Sequence, residues 1–253
     1  MAATGRDDAP WVRRFHPADT PRARVVCFPH AGGSASYFFP VSKALAPSLD
    51  VVCLQYPGRQ DRRAEPCLDT LDQFADHVTE ALAPWRDLPL VFFGHSLGAV
   101  IAFETARRLQ ADGTELAALF ASGRRGPATV RDERVHLRPD DALVAELRSL
   151  SGTDGAVLGD EEILRMILPA VRSDYRAVET YEFRAGETLR CPLTVLVGDA
   201  DEKVTLDEAR TWEQHTTGPF RMRVFPGGHF YLNHHQAEIL DALRESAATA
   251  TAS

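Results

Sequence analysis

A serine flanked by glycines, Gly94-His95-Ser96-Leu97-Gly98, is the part of this 253-residue chain best suited to covalent chemistry. The spacing G-x-S-x-G puts a hydroxyl on a turn too tight for side chains beside it. Leu90-Val91-Phe92-Phe93 before it and the amphipathic stretch from Ala99 after it predict a buried strand running into a helix, a context that a chance match in a loop would lack. A serine on such a turn presents its oxygen above the sheet, and the Leu97 N–H at the helix start can point at a developing oxyanion. The hydroxyl is a weak nucleophile until a base takes its proton, and the base needs an acid to fix its tautomer and stabilise the imidazolium. The chemistry implied is attack on an acyl group through an acyl-serine.

The strand, glycine turn and helix match the nucleophile elbow of α/β-hydrolases, in which the partners follow in the order Ser, acid, His. Downstream of Ser96 stand His136, His215, His229, His234 and His235. His229 follows Phe225-Pro226-Gly227-Gly228 at the end of the last predicted strand, where a glycine turn swings a side chain back over the sheet, and it is the expected base. His234 and His235 begin the final helix and read as surface or cap residues. The acid belongs at the end of the preceding strand, where Gly198-Asp199-Ala200-Asp201 offers two carboxylates. Asp201 is chosen, with Asp199 as the alternative and a turn-stabilising hydrogen bond as its other reading. The strand ending at Ala121 leads into Ser122-Gly123-Arg124-Arg125, which holds no carboxylate. The second oxyanion donor is expected in Pro29-His30-Ala31-Gly32-Gly33-Ser34, with the Ala31 N–H joining that of Leu97. His30 reads as a structural residue of that loop.

These residues need a scaffold, and the rest of the chain describes one. Strands are expected at Arg24–Phe28, Asp50–Gln55, Leu90–Phe93, Leu116–Ala121, Leu193–Val197 and Phe220–Phe225, and helices at Phe39–Leu45, Leu71–Trp85 and from Ala99 to Leu109. Strands alternating with helices imply an α/β fold with a mostly parallel central sheet flanked by helices on both faces. One segment breaks the alternation. An insertion over approximately residues 127–186 carries helical patterns at Asp141–Leu150 and Glu161–Tyr181, too much for a simple crossover, and is expected to form a helical lid over the nucleophile. Pro169 is expected to kink or split the second helix, and Ser151-Gly152-Thr153-Asp154-Gly155 to let the two move. Met166, Leu168 and Tyr175 are candidates to line the site.

With 44% hydrophobic residues the chain reads as a single domain over residues 1–253. No signal segment and no run of eighteen apolar residues is present, so a soluble cytoplasmic protein with no membrane association is expected. Cys27, Cys53, Cys67 and Cys191 lack C-x-x-C spacing and read as buried thiols, with no metal. A net charge of −8 argues against nucleic acid as a partner. Arg59, Arg62, Arg63, Arg124 and Arg125 read either as solvated loop charge or as contacts to an acidic partner.

Phe28-Pro29-His30-Ala31-Gly32-Gly33, Gln55-Tyr56-Pro57-Gly58-Arg59, the serine motif, Ala121-Ser122-Gly123-Arg124-Arg125, Asp174 to Tyr181 and Gly227-Gly228-His229-Phe230 together resemble the type II thioesterases of polyketide and nonribosomal peptide assembly lines. The likeness spans nearly the whole chain. It implies a discrete hydrolase that removes stalled acyl groups from the phosphopantetheine arm of acyl and peptidyl carrier proteins, with Ser96, Asp201 and His229 as triad and Ala31 and Leu97 as oxyanion donors. It implies no cofactor beyond the phosphopantetheine that the substrate carries. Carriers in such systems are acidic, which makes the five arginines candidate rim contacts. Leu97 stands where a methionine is common in the family, which leaves a backbone donor unaltered. A small-molecule esterase or lipase on the same fold, or a non-catalytic carrier-binding protein, are the rival readings. Nothing in the chain demands more than a monomer.

Overall fold

The computed structural model describes residues 10–150 and 160–250. Seven strands form one sheet: β1 (Val12–Arg13), β2 (Arg24–Phe28), β3 (Asp50–Leu54), β4 (Leu90–His95), β5 (Ala118–Ser122), β6 (Leu193–Gly198) and β7 (Phe220–Phe225). Their order is β1-β3-β2-β4-β5-β6-β7, with β1 antiparallel to β3 and every other pair parallel. The two-residue β1 is absent from the sequence reading because it has no apolar run to reveal it. β2 to β5 are buried along their whole length, which is why they read as near-continuous runs of Val, Phe, Cys and Leu.

Alternation along each strand assigns the two faces. Val26, Phe28, Val52, Leu54 and Phe92 point to one core, where they meet α2 (Leu71–Ala81) and α3 (Leu97–Ala111). Val25, Cys27, Val51, Cys53 and Phe93 point to the other, filled by Leu45 of α1 (Phe39–Leu45) and by Ile239, Leu240 and Leu243 of α7 (Gln236–Ala250). Cys27, Cys53 and Cys191 are buried free thiols, whereas Cys67 is only half-buried. Among the described residues no helix is long and apolar enough to cross a membrane.

The insertion between β5 and β6 contributes α4 (Asp140–Leu150) and α5 (Glu161–Glu179), and a short α6 (Leu206–Arg210) follows β6. The Ser151–Gly155 connection lies outside the described residues. Asp160 caps α5, its Oδ1 accepting the Glu162 and Ile163 N–H groups at 2.9 and 3.1 Å. Pro169 does not split α5, which runs unbroken past it. The proline and Arg165, whose carbonyl it deprives of a donor, both lie on the exposed side, where water can take the missing bond. Leu143, Val144, Leu147, Leu168 and Val171 give the insertion a small core of its own. Glu179 closes its far end by accepting the Val135 and His136 N–H groups at 2.9 and 3.0 Å.

Candidate active site

Ser96 joins β4 to α3 at φ 55° and ψ −116°, a left-handed conformation that a non-glycine residue adopts at a cost of roughly 1–3 kcal/mol. Its neighbours make the turn possible. A Cβ on Gly94 would lie 2.3 Å from the Gly98 carbonyl oxygen, and one on Gly98 would lie 2.1 Å from that of Phe28. The serine is anchored by its own N–H, which donates to the Ser122 carbonyl at 2.8 Å. Within the loop after β2, the Gly32, Gly33 and Ala35 N–H groups all find acceptors, at Asp174, His30 and Gln55. Those of Ala31 and Leu97 find none among the described residues. Unpaired backbone donors of this kind are what an oxyanion requires.

The turns after β6 and β7 bring the remaining pair together. His229 Nδ1 lies 2.9 Å from Asp201 Oδ2 and 3.1 Å from Oδ1, with both residues buried. A ring that donates Nδ1–H to a carboxylate keeps Nε2 free to accept a proton. Asp199 does something different. Its Oδ1 accepts the Gly227 N–H at 2.9 Å and its own N–H donates to the Phe225 carbonyl at 2.8 Å, fastening the turn that carries His229. His234 and His235 precede α7, where the His235 ring bonds the Pro226 carbonyl.

Behind His229 stands a wall that the motif reading left unassigned. His95 lies with its ring centroid 5.0 Å from that of His229, its Nδ1 2.9 Å from Ser122 Oγ, which is in turn 2.7 Å from the Tyr231 hydroxyl. Burial, with the neighbouring His229 adding to it, lowers the His30 pKa to about 3 and pushes His95 well below its usual range. His30 is thus a neutral part of the loop's packing, against Tyr37 and Phe230. In the sequence, His95 signals nothing beyond filling the variable position of the motif.

A cavity of about 500 Å³ opens between the loop after β2 and the insertion, lined by Ala31, Gly32, Arg63, Ile163, Met166, Ile167 and Val171 among others. Of the insertion residues expected to line the site, Met166 lines this cavity. Leu168 and Tyr175 instead belong to the insertion's own core. A second cavity of about 310 Å³ reaches His229 from the side of Ala200, Glu202 and Phe230.

The arginine rim does not stand as expected. Arg59 is buried and grips Asp174 with both terminal nitrogens at 2.8 Å. Arg62 is buried, paired with Glu65 at 2.5 Å and packed over the Trp11 ring. Arg125 is buried against Glu133 at 2.8 Å. Arg124 is half-buried, and desolvation, with Arg125 beside it, lowers its pKa to about 9. Only Arg63 is exposed, at the 500 Å³ cavity. Three of the five, Arg59, Arg62 and Arg125, are held by carboxylates, in the case of Arg59 from another element, so they are unavailable to an outside partner.

Comparison with known proteins agrees with this architecture. Residues 23–247 match the thioesterase domain family. The chain is 57% identical over 249 residues to a probable cadicidin biosynthesis thioesterase of Streptomyces griseus, covering 98% of this chain and 68% of that protein. It is 52% identical over 241 residues to thioesterase PikA5 of Streptomyces venezuelae, covering 94% and 86%. The solved structure of BorB, a type II thioesterase from the borrelidin biosynthetic cluster, superposes with a TM-score of 0.89 at 49% identity, covering 94% of this chain and 98% of that one. The chain belongs to the thioesterase family, on its type II side, and is a thioester hydrolase of the α/β-hydrolase fold.

Proposed function

We propose that this thioesterase removes stalled or aberrant acyl groups from the phosphopantetheine arm of acyl and peptidyl carrier proteins, as a cytoplasmic monomer with no cofactor of its own. The reading is carried by the strained Ser96 beside the two unpaired N–H groups, together with the His229–Asp201 pair. One relative is named for cadicidin biosynthesis and the solved BorB as a type II thioesterase of a biosynthetic cluster, which supports the substrate class.

In the first step Ser96 Oγ attacks the thioester carbonyl carbon as His229 Nε2 takes its proton. Asp201 holds the ring and stabilises the imidazolium. The carbonyl oxygen, now an anion, is held by the Ala31 and Leu97 N–H groups. Collapse expels the pantetheine thiolate, which receives the proton from His229, and leaves an acyl-serine. Water attacks that ester with His229 again as base, and the acid is released. Because a thiolate leaves readily, positioning and oxyanion stabilisation are the main demands on the site. The apolar cavity under α5 suits an acyl chain, and Arg63 at its edge is placed to meet an acidic carrier.

Intact-mass analysis of acylated carrier proteins incubated with the enzyme tests this, beside oxygen esters of equal acyl length. Loss of acyl mass with the wild type, none with Ser96→Ala, and slower ester cleavage are expected. Carriers that stay loaded while oxygen esters are cleaved would replace the reading with that of an esterase.

A further inference from the structure

Asp174 lies on α5, is fully buried, and is 142 residues from the loop it touches. Its Oδ2 accepts the Gly32 N–H at 2.8 Å and one Arg59 nitrogen at 2.8 Å, while Oδ1 takes the other. The same Arg59 donates to the Gly33 carbonyl at 3.1 Å and to that of Pro57 at 3.2 Å. Gly33 in turn donates its N–H to the His30 carbonyl at 2.9 Å.

These bonds fix four successive peptide units. In a trans peptide the C=O and N–H point in opposite directions. The His30 carbonyl and the Ala31 N–H belong to one such unit, so tying the carbonyl to Gly33 aims the Ala31 N–H the other way. Asp174 holds the next unit by the Gly32 N–H, the Gly33 N–H ties the third to the His30 carbonyl, and Arg59 holds the fourth by the Gly33 carbonyl. Packing reinforces the link: Gly32 sits at φ 73°, and a Cβ there would lie 2.7 Å from Val171 Cγ2, also on α5. The Ala31 N–H itself has no acceptor among the described residues.

We propose that Asp174 is a positioning residue for the oxyanion hole, so that the hole is complete only when the insertion helix is docked on the loop after β2. The proposal rests on the catalytic reading above. Movement of α5 would then do more than admit substrate: it would withdraw the acceptor that holds Gly32 and release the Ala31 donor from its line. Hydrolysis is thereby confined to the closed arrangement.

The test uses the full chain and a short acyl-pantetheine thioester, with Asp174→Asn and the double variant Arg59→Met with Asp174→Leu. The double variant removes both charges together, which a buried pair tolerates when apolar groups of similar volume replace it, and so stays folded should the single variant fail. Near-UV circular dichroism verifies folding. Two inhibitors separate positioning from scaffolding: a trifluoromethyl ketone of pantetheine, which adds Ser96 Oγ and develops an oxyanion, and a thioether analogue, which does not. Expected in each folded variant is a kcat lower by about 10- to 100-fold with KM little changed, ketone affinity weakened by the same factor, and thioether affinity preserved. A folded variant that keeps wild-type kcat, or that loses ketone and thioether affinity alike, overturns the proposal. Ser96→Ala measured in parallel separates the two readings. If it retains turnover, the catalytic assignment itself fails; if it is dead while Asp174→Asn is fully active, only the positioning role falls.

Discussion

Gly98 stands where the nucleophile helix passes against the end of β2, and the closeness of that contact makes Gly98→Ala a quantitative test of how the site is spaced. A Cβ would lie 2.1 Å from Phe28 O, 2.6 Å from Phe28 C and 2.7 Å from Pro29 O. All three are backbone atoms, so no rotamer change relieves the overlap. Retreat from 2.1 Å to the 3.4 Å of ordinary van der Waals contact moves the two segments apart by more than 1 Å. One segment carries the Leu97 N–H and the other leads into Ala31, so the separation falls on the distance between the two oxyanion donors. A misplacement of roughly 1 Å costs about 100-fold in rate. That corresponds to about 3 kcal/mol of transition-state stabilisation. Overpacking adds roughly 1–3 kcal/mol of lost stability, lowering the melting temperature by roughly 5 °C. The assay is steady-state hydrolysis of a short acyl-pantetheine thioester, read by released thiol, beside a thermal melt. Gly113→Ala is the control: its φ is 82° but nothing lies within 4 Å of the added methyl. It should lose about 1–2 kcal/mol of stability through backbone strain and no activity. A Gly98→Ala enzyme with kcat/KM close to the wild type, or an equal loss in Gly113→Ala, would refute the reasoning.

Two further outcomes follow from the same geometry. Asp201→Asn is expected to lower kcat by about 10⁴-fold, since the amide presents a donor and favours the wrong His229 tautomer, whereas Asp199→Asn keeps an acceptor for Gly227 and should retain near-wild-type kcat; equal losses would contradict the division of labour between the two carboxylates. His30, with its pKa lowered to about 3 by burial, remains neutral in the fold while the unfolded chain takes up its proton below its ordinary value of 6.5. Its contribution to stability is therefore complete above pH 6.5 and is lost as the pH falls from there toward 3, at up to about 1.4 kcal/mol per pH unit. His30→Phe should flatten that acid limb in denaturant melts between pH 6 and 4, and an unchanged slope would show that another group titrates.

The candidate site was legible where its residues are written in short-range sequence. Gly94, Ser96 and Gly98 state a turn, the runs on either side state a strand and a helix, and Gly227-Gly228 before His229 states a second turn. Asp201 was separable from Asp199 only as a choice, because both follow the same strand and a turn can send either one over the sheet. The structure separates them by where the chain turns: one carboxylate meets the ring, the other the backbone behind it.

The alternation of strands and helices, the order of the candidate nucleophile, acid and base, and the glycines that let backbones meet can all be read along the chain, since periodicity and turn chemistry act between near neighbours. What Arg59, Arg62 and Arg125 do emerges from the folded chain alone, because an arginine in a loop looks the same whether water or a carboxylate receives it. Arg59 finds Asp174 across 115 residues of chain, and no local pattern encodes that meeting. Burial makes the difference physical: a charge removed from water must find its partner inside the fold, and the partner it found joins the insertion helix to the loop after β2.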